Sequence, residues 1–135
     1  SDPSELSRIN MTDDADAIAK KIRKAKSDQD LLPETPAGLE GRAEAKNLLG
    51  IYAALSDDTL DSVCTKFAGE GFGTFKQHLA DLAVAKLGPI QSEMRRLMDD
   101  PASVDAVLKD GAERARAIAE PIIAEVKDIV GFLKA

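Results

Sequence analysis

The fold is indicated most clearly by residues 69–98, which read GEGFGTFKQHLADLAVAKLGPIQSEMRRLM. From Phe72 to Met98, apolar residues recur every three or four positions, and this spacing predicts one face of an amphipathic helix. The helix would have about seven turns at about 3.6 residues per turn. Pro89 lies inside the pattern and should kink or split the helix, because proline lacks the amide proton that the helix hydrogen bonds require.

A glycine-rich turn precedes this predicted helix. Gly69, Gly71 and Gly73 alternate with larger residues, and glycine permits sharp turns and close approach because it has no Cβ. The helix start that follows, from Thr74 to Lys76, favours anions through its free amides and its dipole. The segment is therefore either a tight corner between helices without a ligand, or a place for a phosphate or a nucleotide edge.

Apolar residues at helical spacing predict five further helices. Three lie before the glycine turn, at residues 15–25, at residues 42–55, and in a short segment that is capped by residues 56–58 and ends at residue 67. Two follow residue 98: a short helix around residues 104–108 that Gly111 ends, and a last helix over residues 115–133 that Pro121 kinks.

The expected fold class is all-α. No stretch alternates polar and apolar residues at period two, so no strand is predicted. Aromatic residues make up 4% of the chain and tryptophan is absent, a composition that suits helices better than a sheet sandwich. We expect a bundle of about five to six helices, with residues 1–11 as an irregular lead-in and residues 12–135 as one helical domain. Residues 27–41 hold two prolines and two glycines and predict a long loop, which is often functional in a compact domain.

The charge of the chain limits the partners that it can bind. A net charge of −6 excludes nucleic-acid binding through the overall field, so any such contact needs a local basic face. One candidate is a group of cations that is either a solvated face matched to the helix dipole or a strip facing phosphates: Lys20, Lys21, Arg23, Lys24 and Lys26. No apolar run approaches the roughly 20 residues that span a bilayer. We therefore expect a cytoplasmic protein without membrane contact, and the absence of an initial Met suggests a piece of a longer chain.

The chain offers little catalytic chemistry. Cys64 is the single cysteine and His78 the single histidine. The apolar spacing around Cys64 predicts a buried side chain, whereas His78 should lie at a helix surface. An enzyme built around Cys64 is an alternative that predicts rapid thiol labelling of the folded protein. The acidic pairs all stand at predicted helix ends, where capping explains them better than catalysis or metal binding: residues 13–14, 57–58 and 99–100.

Six segments, in consistent order and spacing, resemble bacterial-type tryptophanyl-tRNA synthetases of class I. They are SDP at 1–3, IAKKIRKA at 18–25, NLLGIYAAL at 47–55, FAGEGFGTFK at 67–76, LADL at 79–82 with PI at 89–90, and DGAERA at 110–115. The resemblance covers essentially the whole chain. It implies the C-terminal helical domain of such an enzyme, with Ser1 as the last residue of its ATP-contacting signature loop.

The resemblance also implies a division of labour. In this family a Rossmann domain activates tryptophan with ATP and Mg and charges tRNA(Trp), while the helical domain recognises the anticodon region. The Rossmann domain would lie upstream and is absent from this chain, so we expect no catalysis, cofactor or metal here. The full-length family is dimeric, largely through the catalytic half, and this chain is expected to be mainly monomeric. A free-standing helical adaptor that binds protein partners is the alternative from a different class.

By the same resemblance, anticodon contacts fall on Lys76 and on residues 27–30, with Asp28 and Asp30 as the candidates there. Anticodon bases are unstacked, so a protein can hydrogen-bond their edges. Asp28 would accept from a base amino group such as that of cytosine, or would serve only as a turn former. Further cations are either phosphate contacts or solvated surface charge: Lys66, Arg95, Arg96, Arg114 and Arg116.

Overall fold

The computed structural model describes residues 4–131, which form α-helices and short 3-10 helices without any strand. The all-α prediction is confirmed. The five α-helices are α1 (Ala15–Lys24), α2 (Ala43–Ser56), α3 (Leu60–Phe67), α4 (Phe72–Asp99) and α5 (Pro101–Val130). The 3-10 helices are Glu5–Ser7, inside the predicted irregular lead-in, and Pro36–Leu39. Among these residues, no helix is both long and apolar enough to cross a membrane.

The chain divides into two compact units, the first ending at Met94 and the second beginning at Arg95. The core of the first unit is centred on Phe75, which is fully buried. The Phe75 ring lies 5.0 Å from Phe67, 5.9 Å from Tyr52 and 6.4 Å from Phe72, measured between centroids. The contacts with Phe67 and Phe72 are edge-to-face, a geometry that stabilises beyond the area it buries. These rings join α2, α3 and α4 into one cluster.

The predicted long loop is attached to this core. Leu32 and Leu39 each expose only 2% of their surface and belong to the same apolar cluster as Ile18 of α1. The 3-10 helix Pro36–Leu39 lies within the segment. Burial of two leucines contributes about 1.5–3 kcal/mol each, which explains why this connection is ordered although it holds no α-helix.

The cap of α3 differs from the prediction. Thr59, and not residues 56–58, caps this helix, since its Oγ1 accepts a hydrogen bond from the backbone N of Ser62 at 3.2 Å. Asp57 instead ends α2, with φ 62° and ψ 24° in the left-handed region. Aspartate tolerates that conformation better than most residues because its short polar side chain can hydrogen-bond locally.

The second unit corrects the prediction of two separate helices after residue 98. Helix α5 begins at Pro101, capped by Asp100, and continues through Gly111 and Pro121. A glycine inside a helix costs about 1 kcal/mol relative to alanine, which lowers stability but does not end a helix whose flanking turns continue. Helix α4 likewise runs through Pro89 without being split. No residue of α5 is buried in the structure.

Candidate nucleic-acid interface

Lys76, in the second turn of α4, reaches the end of α1. Its Nζ donates hydrogen bonds to the backbone O of Ala25 at 2.6 Å and to Oγ of Ser27 at 2.9 Å. The structure thus brings together the glycine turn and the segment after α1, although Lys76 and Ala25 are 51 positions apart in the chain. These are the two segments on which the resemblance places anticodon contacts.

The surroundings of Lys76 are partly apolar. Its Nζ lies 5.8 Å from the centroid of the Phe72 ring, and burial lowers the pKa of the ammonium. The described residues account for two of its three N–H donors, since an ammonium has three. Within the protein, Lys76 therefore fixes the C-terminal end of α1 and retains one donor.

Arg42, the residue before α2, organises residues 28–31. Its guanidinium binds the Asp28 carboxylate in a fork, with Nη2–Oδ1 at 2.6 Å and Nε–Oδ2 at 2.9 Å. It also donates to the backbone O of Asp30 at 3.2 Å and of Leu31 at 3.0 Å. Asp28 Oδ1 in turn accepts from the backbone N of Asp30 at 3.1 Å. One side chain thus holds four hydrogen bonds to a single turn of chain, and such bidentate pairs fix geometry strongly.

Asp28 is therefore occupied within the protein. The Arg42 hydrogen bond is the main cause that lowers the pKa of the Asp28 carboxyl. Its side chain keeps 30% of its surface exposed. In this geometry Asp28 is a turn former that Arg42 holds in place. The neighbouring residue Asp30 is exposed.

The glycine turn is joined to the same segment through the backbone. Leu32 N donates to Glu70 O, and Gly69 N donates to Leu32 O, both at 2.9 Å. Gly69 has φ +76°, which only glycine adopts readily. At Gly71 and Gly73 nothing lies within 4 Å of the position where a Cβ would stand. The turn therefore presents open backbone beside Lys76.

The cations in and directly after α1 are divided between paired and exposed residues. Lys21 Nζ binds Asp13 Oδ2 at 2.5 Å, and both side chains are largely buried. Lys26 binds Glu44 at 2.7 Å on the surface. Lys20, Arg23 and Lys24 are exposed. The helix therefore carries some neutralised charge and an exposed cationic group near its C-terminal end, where cations also match the helix dipole.

The candidate phosphate contacts fall in both units. Lys66 Nζ donates to the Tyr52 hydroxyl at 3.0 Å, and this bond is the main cause that raises the pKa of Lys66. Arg114 pairs with Asp110 of the preceding turn at 3.1 Å. Lys66 belongs to the first unit. The other candidates are exposed residues of the second unit: Arg95, Arg96, Arg114 and Arg116.

The catalytic alternative based on Cys64 is not supported. Cys64 is fully buried, and burial raises the pKa of its thiol, whereas a reactive cysteine needs an accessible thiolate.

The other residues considered for catalysis or metal binding have structural positions. His78 is exposed, as predicted, with its ring 5.6 Å from that of Phe67. Asp14 and Asp100 act as helix N-caps. In the part of the chain that the structure describes, no cluster of His, Cys, Asp or Glu could hold a metal ion. Ser1, assigned to an ATP-contacting loop, lies outside that part.

Comparison with known proteins identifies the family. No family model matches the chain. It is 60% identical over 134 residues to a tryptophan–tRNA ligase of Agrobacterium fabrum, and 59% identical over 134 residues to one of Rhizobium meliloti. A tryptophan–tRNA ligase of Caulobacter vibrioides is 56% identical over 132 residues. These matches cover 98–99% of this chain. The chain belongs to the tryptophan–tRNA ligase family. It spans 38% of the length of these ligases, and the resemblance seen in the sequence is confirmed.

The sequence did not indicate the role of Arg42, the residue that holds residues 28–31 in the candidate interface. Its contacts with Asp28 cross 14 positions of the chain, through a segment whose apolar pattern is too sparse to predict how it packs. The available signal was a single arginine directly after Gly41 and before a predicted helix. An arginine at that position is equally compatible with a buried side chain that hydrogen-bonds a neighbouring segment and with a cation in solvent.

Proposed function

We propose that this chain recognises the anticodon region of tRNA(Trp) as part of a tryptophan–tRNA ligase. The observation that carries the proposal is the pair of hydrogen bonds from Lys76 to Ala25 and Ser27. Through it, the two segments to which the resemblance assigns anticodon contacts form one continuous surface. The 60% identity to a tryptophan–tRNA ligase of Agrobacterium fabrum supports the same conclusion. We call this surface, formed by residues 25–32 and 69–76, the loop–turn surface.

The chemistry of the loop–turn surface suits a single-stranded RNA loop. Unstacked bases expose hydrogen-bonding edges, and the phosphates between them need donors or cations. The retained N–H of Lys76 supplies one charged donor, and the open backbone at Gly71 and Gly73 permits close approach. Free amides at the start of α4 add a local positive potential. The surface therefore offers contacts to both bases and phosphates.

The charge distribution supports the proposal despite the overall net charge of −6. Lys20, Arg23 and Lys24 are exposed on α1, the helix whose end Lys76 holds. A local group of cations attracts phosphates within a Debye length of about 10 Å at 0.1 M salt. Binding that uses these cations should therefore weaken steeply as salt rises.

The remaining activity is assigned to the part of the ligase outside this chain. We propose that activation of tryptophan with ATP and charging of tRNA(Trp) take place there, since this chain spans 38% of the length of the ligases that it matches. We propose that this other part also covers the exposed apolar face of α5, where Ile118 exposes 70% and Ile129 76% of their surface. The alternative of a protein-binding adaptor would use the same face.

The chain alone is expected to be monomeric, and light scattering tests this expectation.

The direct test is binding of the chain to an anticodon stem-loop carrying CCA, compared at low salt with one whose anticodon is scrambled. We expect a preference for CCA that falls when Lys76 is replaced by Ala. A loss of one charged contact corresponds to about 1–3 kcal/mol, or roughly a factor of 5–150 in affinity. Equal affinity for both stem-loops, or no binding, would contradict the proposal.

A matched control is available in α5. Lys109 is an exposed lysine of the second unit, and Lys109→Ala should leave the preference for CCA unchanged. Because Lys76→Ala also removes hydrogen bonds inside the protein, thermal unfolding by circular dichroism should accompany the measurement. A variant that is folded at the assay temperature and retains full preference would show that Lys76 has only a structural role.

A further inference from the structure

Hydrogen bonds to Asp28, Asp30 and Leu31 anchor residues 28–31 to the rest of the protein. Arg42 binds the Asp28 carboxylate and the carbonyls of Asp30 and Leu31. On one side of the turn, Lys76 fixes residues 25 and 27, and on the other Leu32 is bonded to the glycine turn. The backbone around Gln29 is therefore held from both ends before any ligand arrives.

Gln29 lies in the middle of this anchored turn. It is exposed, and no hydrogen bond of its side chain is found among the described residues. Its neighbour Asp30 is also exposed, but a carboxylate only accepts hydrogen bonds, whereas a glutamine amide both donates and accepts. Gln29 is thus the side chain of this turn with a complete and unused hydrogen-bonding edge.

A glutamine amide matches one base edge particularly well. The side-chain carbonyl accepts from the exocyclic amino group of adenine while the amide nitrogen donates to a ring nitrogen, which gives a bidentate pair. Adenine is the single purine in the anticodon CCA. Presenting the amide on a fixed turn lowers the entropy that is lost on binding, because the backbone does not have to be ordered in the complex.

We propose that Gln29 is a specificity-determining residue that reads the adenine of the anticodon, and that Arg42 is the positioning residue that holds it in place. This inference rests on the proposed function and adds to it the residue and the base. The assignment by resemblance places anticodon contacts on Lys76, Asp28 and Asp30, and Gln29 is an additional residue between the last two. In the structure the side chains of Lys76 and Asp28 are engaged in holding the turn.

The test compares stem-loops that carry CCA with stem-loops whose adenine is replaced by purine, which lacks the amino group. The unmodified chain should bind the adenine form about 5–150-fold more tightly, as expected for one bidentate pair of about 1–3 kcal/mol. Gln29→Ala should bind both forms equally, and its discrimination at the two cytosines should be unchanged. Gln77, an exposed glutamine on α4, provides the control, and Gln77→Ala should retain the adenine preference.

Arg42→Lys tests the positioning role, since lysine keeps the charge but cannot form the fork. Its adenine preference should fall, and residues 28–31 should exchange their amide protons faster than in the unmodified chain. Adenine discrimination that persists in Gln29→Ala would overturn the inference and leave the proposed function intact. Equal binding of CCA and scrambled stem-loops by the unmodified chain would overturn the proposed function itself.

Discussion

The first and second units of the chain share a helical apolar pattern but differ in what they bury. In α4, Phe75 and Leu79 are fully buried within the first unit. In α5 the same spacing leaves Leu108 64% and Ile122 57% exposed. Periodicity therefore predicts a helix and its apolar face, whereas the burial of that face depends on which elements pack against it.

The comparison is tested most strongly by the same substitution in both helices. Leu79→Ala should lower the free energy of unfolding by about 2–5 kcal/mol, because it leaves a cavity in a closed core. Leu108→Ala should change it by less than about 0.5 kcal/mol, because the side chain is exposed and alanine favours helices. Urea denaturation followed by circular dichroism measures both. Similar effects in the two variants would show that α5 is packed in solution as firmly as α4.

Two arginines give the second comparison. Arg42 makes hydrogen bonds to a carboxylate and two carbonyls, whereas Arg114 makes an exposed pair with Asp110, with side chains 77% and 68% exposed. Arg42→Met should cost about 1–3 kcal/mol, since it removes the two guanidinium donors of the partly buried Asp28 carboxylate. Arg114→Met should cost no more than about 0.5 kcal/mol. Thermal unfolding measures the loss of stability in both variants. Equal losses would mean that Arg42 does not hold residues 28–31 in place in solution.

Much of the first unit follows from the sequence because its signals are local. Asp14 caps α1 as its position indicates, and the spacing around Cys64 correctly predicts burial. The errors arose where local signals compete. Gly111 resembles a helix end, yet α5 continues through it, because the strong helix formers around it outweigh one weak residue. The Arg42 clamp could not be predicted, because it depends on tertiary placement of a segment without periodicity.

The pH dependence of stability should distinguish the Arg42–Asp28 pair from the exposed Arg114–Asp110 pair. Arg42 lowers the pKa of Asp28 below its ordinary value of 3.8, so the unfolded state takes up the proton first as pH falls. The stabilisation is therefore fully present above the ordinary value and lost as pH falls through the lowered one. Asp28→Asn should reduce stability by about 1 kcal/mol at neutral pH, and the gap from the unmodified chain should close in acid.

Urea unfolding between about pH 2 and pH 7 measures this gap. Asp110→Asn is the control, with an expected change of about 0.3 kcal/mol for an exposed pair within one helix. A gap for Asp28→Asn that does not depend on pH would mean that the ionised carboxylate is not the group that stabilises the turn.

Two glycines give small expected effects of opposite sign. Gly111 lies inside α5 with open space at its Cβ position, so Gly111→Ala should stabilise the helix by about 0.5–1 kcal/mol. Gly69 has φ +76°, and Gly69→Ala should destabilise the first unit by about 1 kcal/mol, because a Cβ is strained in that conformation. Differential scanning calorimetry measures both, and a destabilising Gly111→Ala would indicate a helix break at residue 111.

The bond between Lys76 and the end of α1 also sets an order of events during synthesis. The two partners are separated by 51 positions, so α1 leaves the ribosome well before the lysine that completes the loop–turn surface. Contacts of such long range form late, after local helices. A nascent chain would therefore present α1 and its cations without a shaped partner surface, and the RNA recognition that we propose would begin only once α4 has been made and has docked.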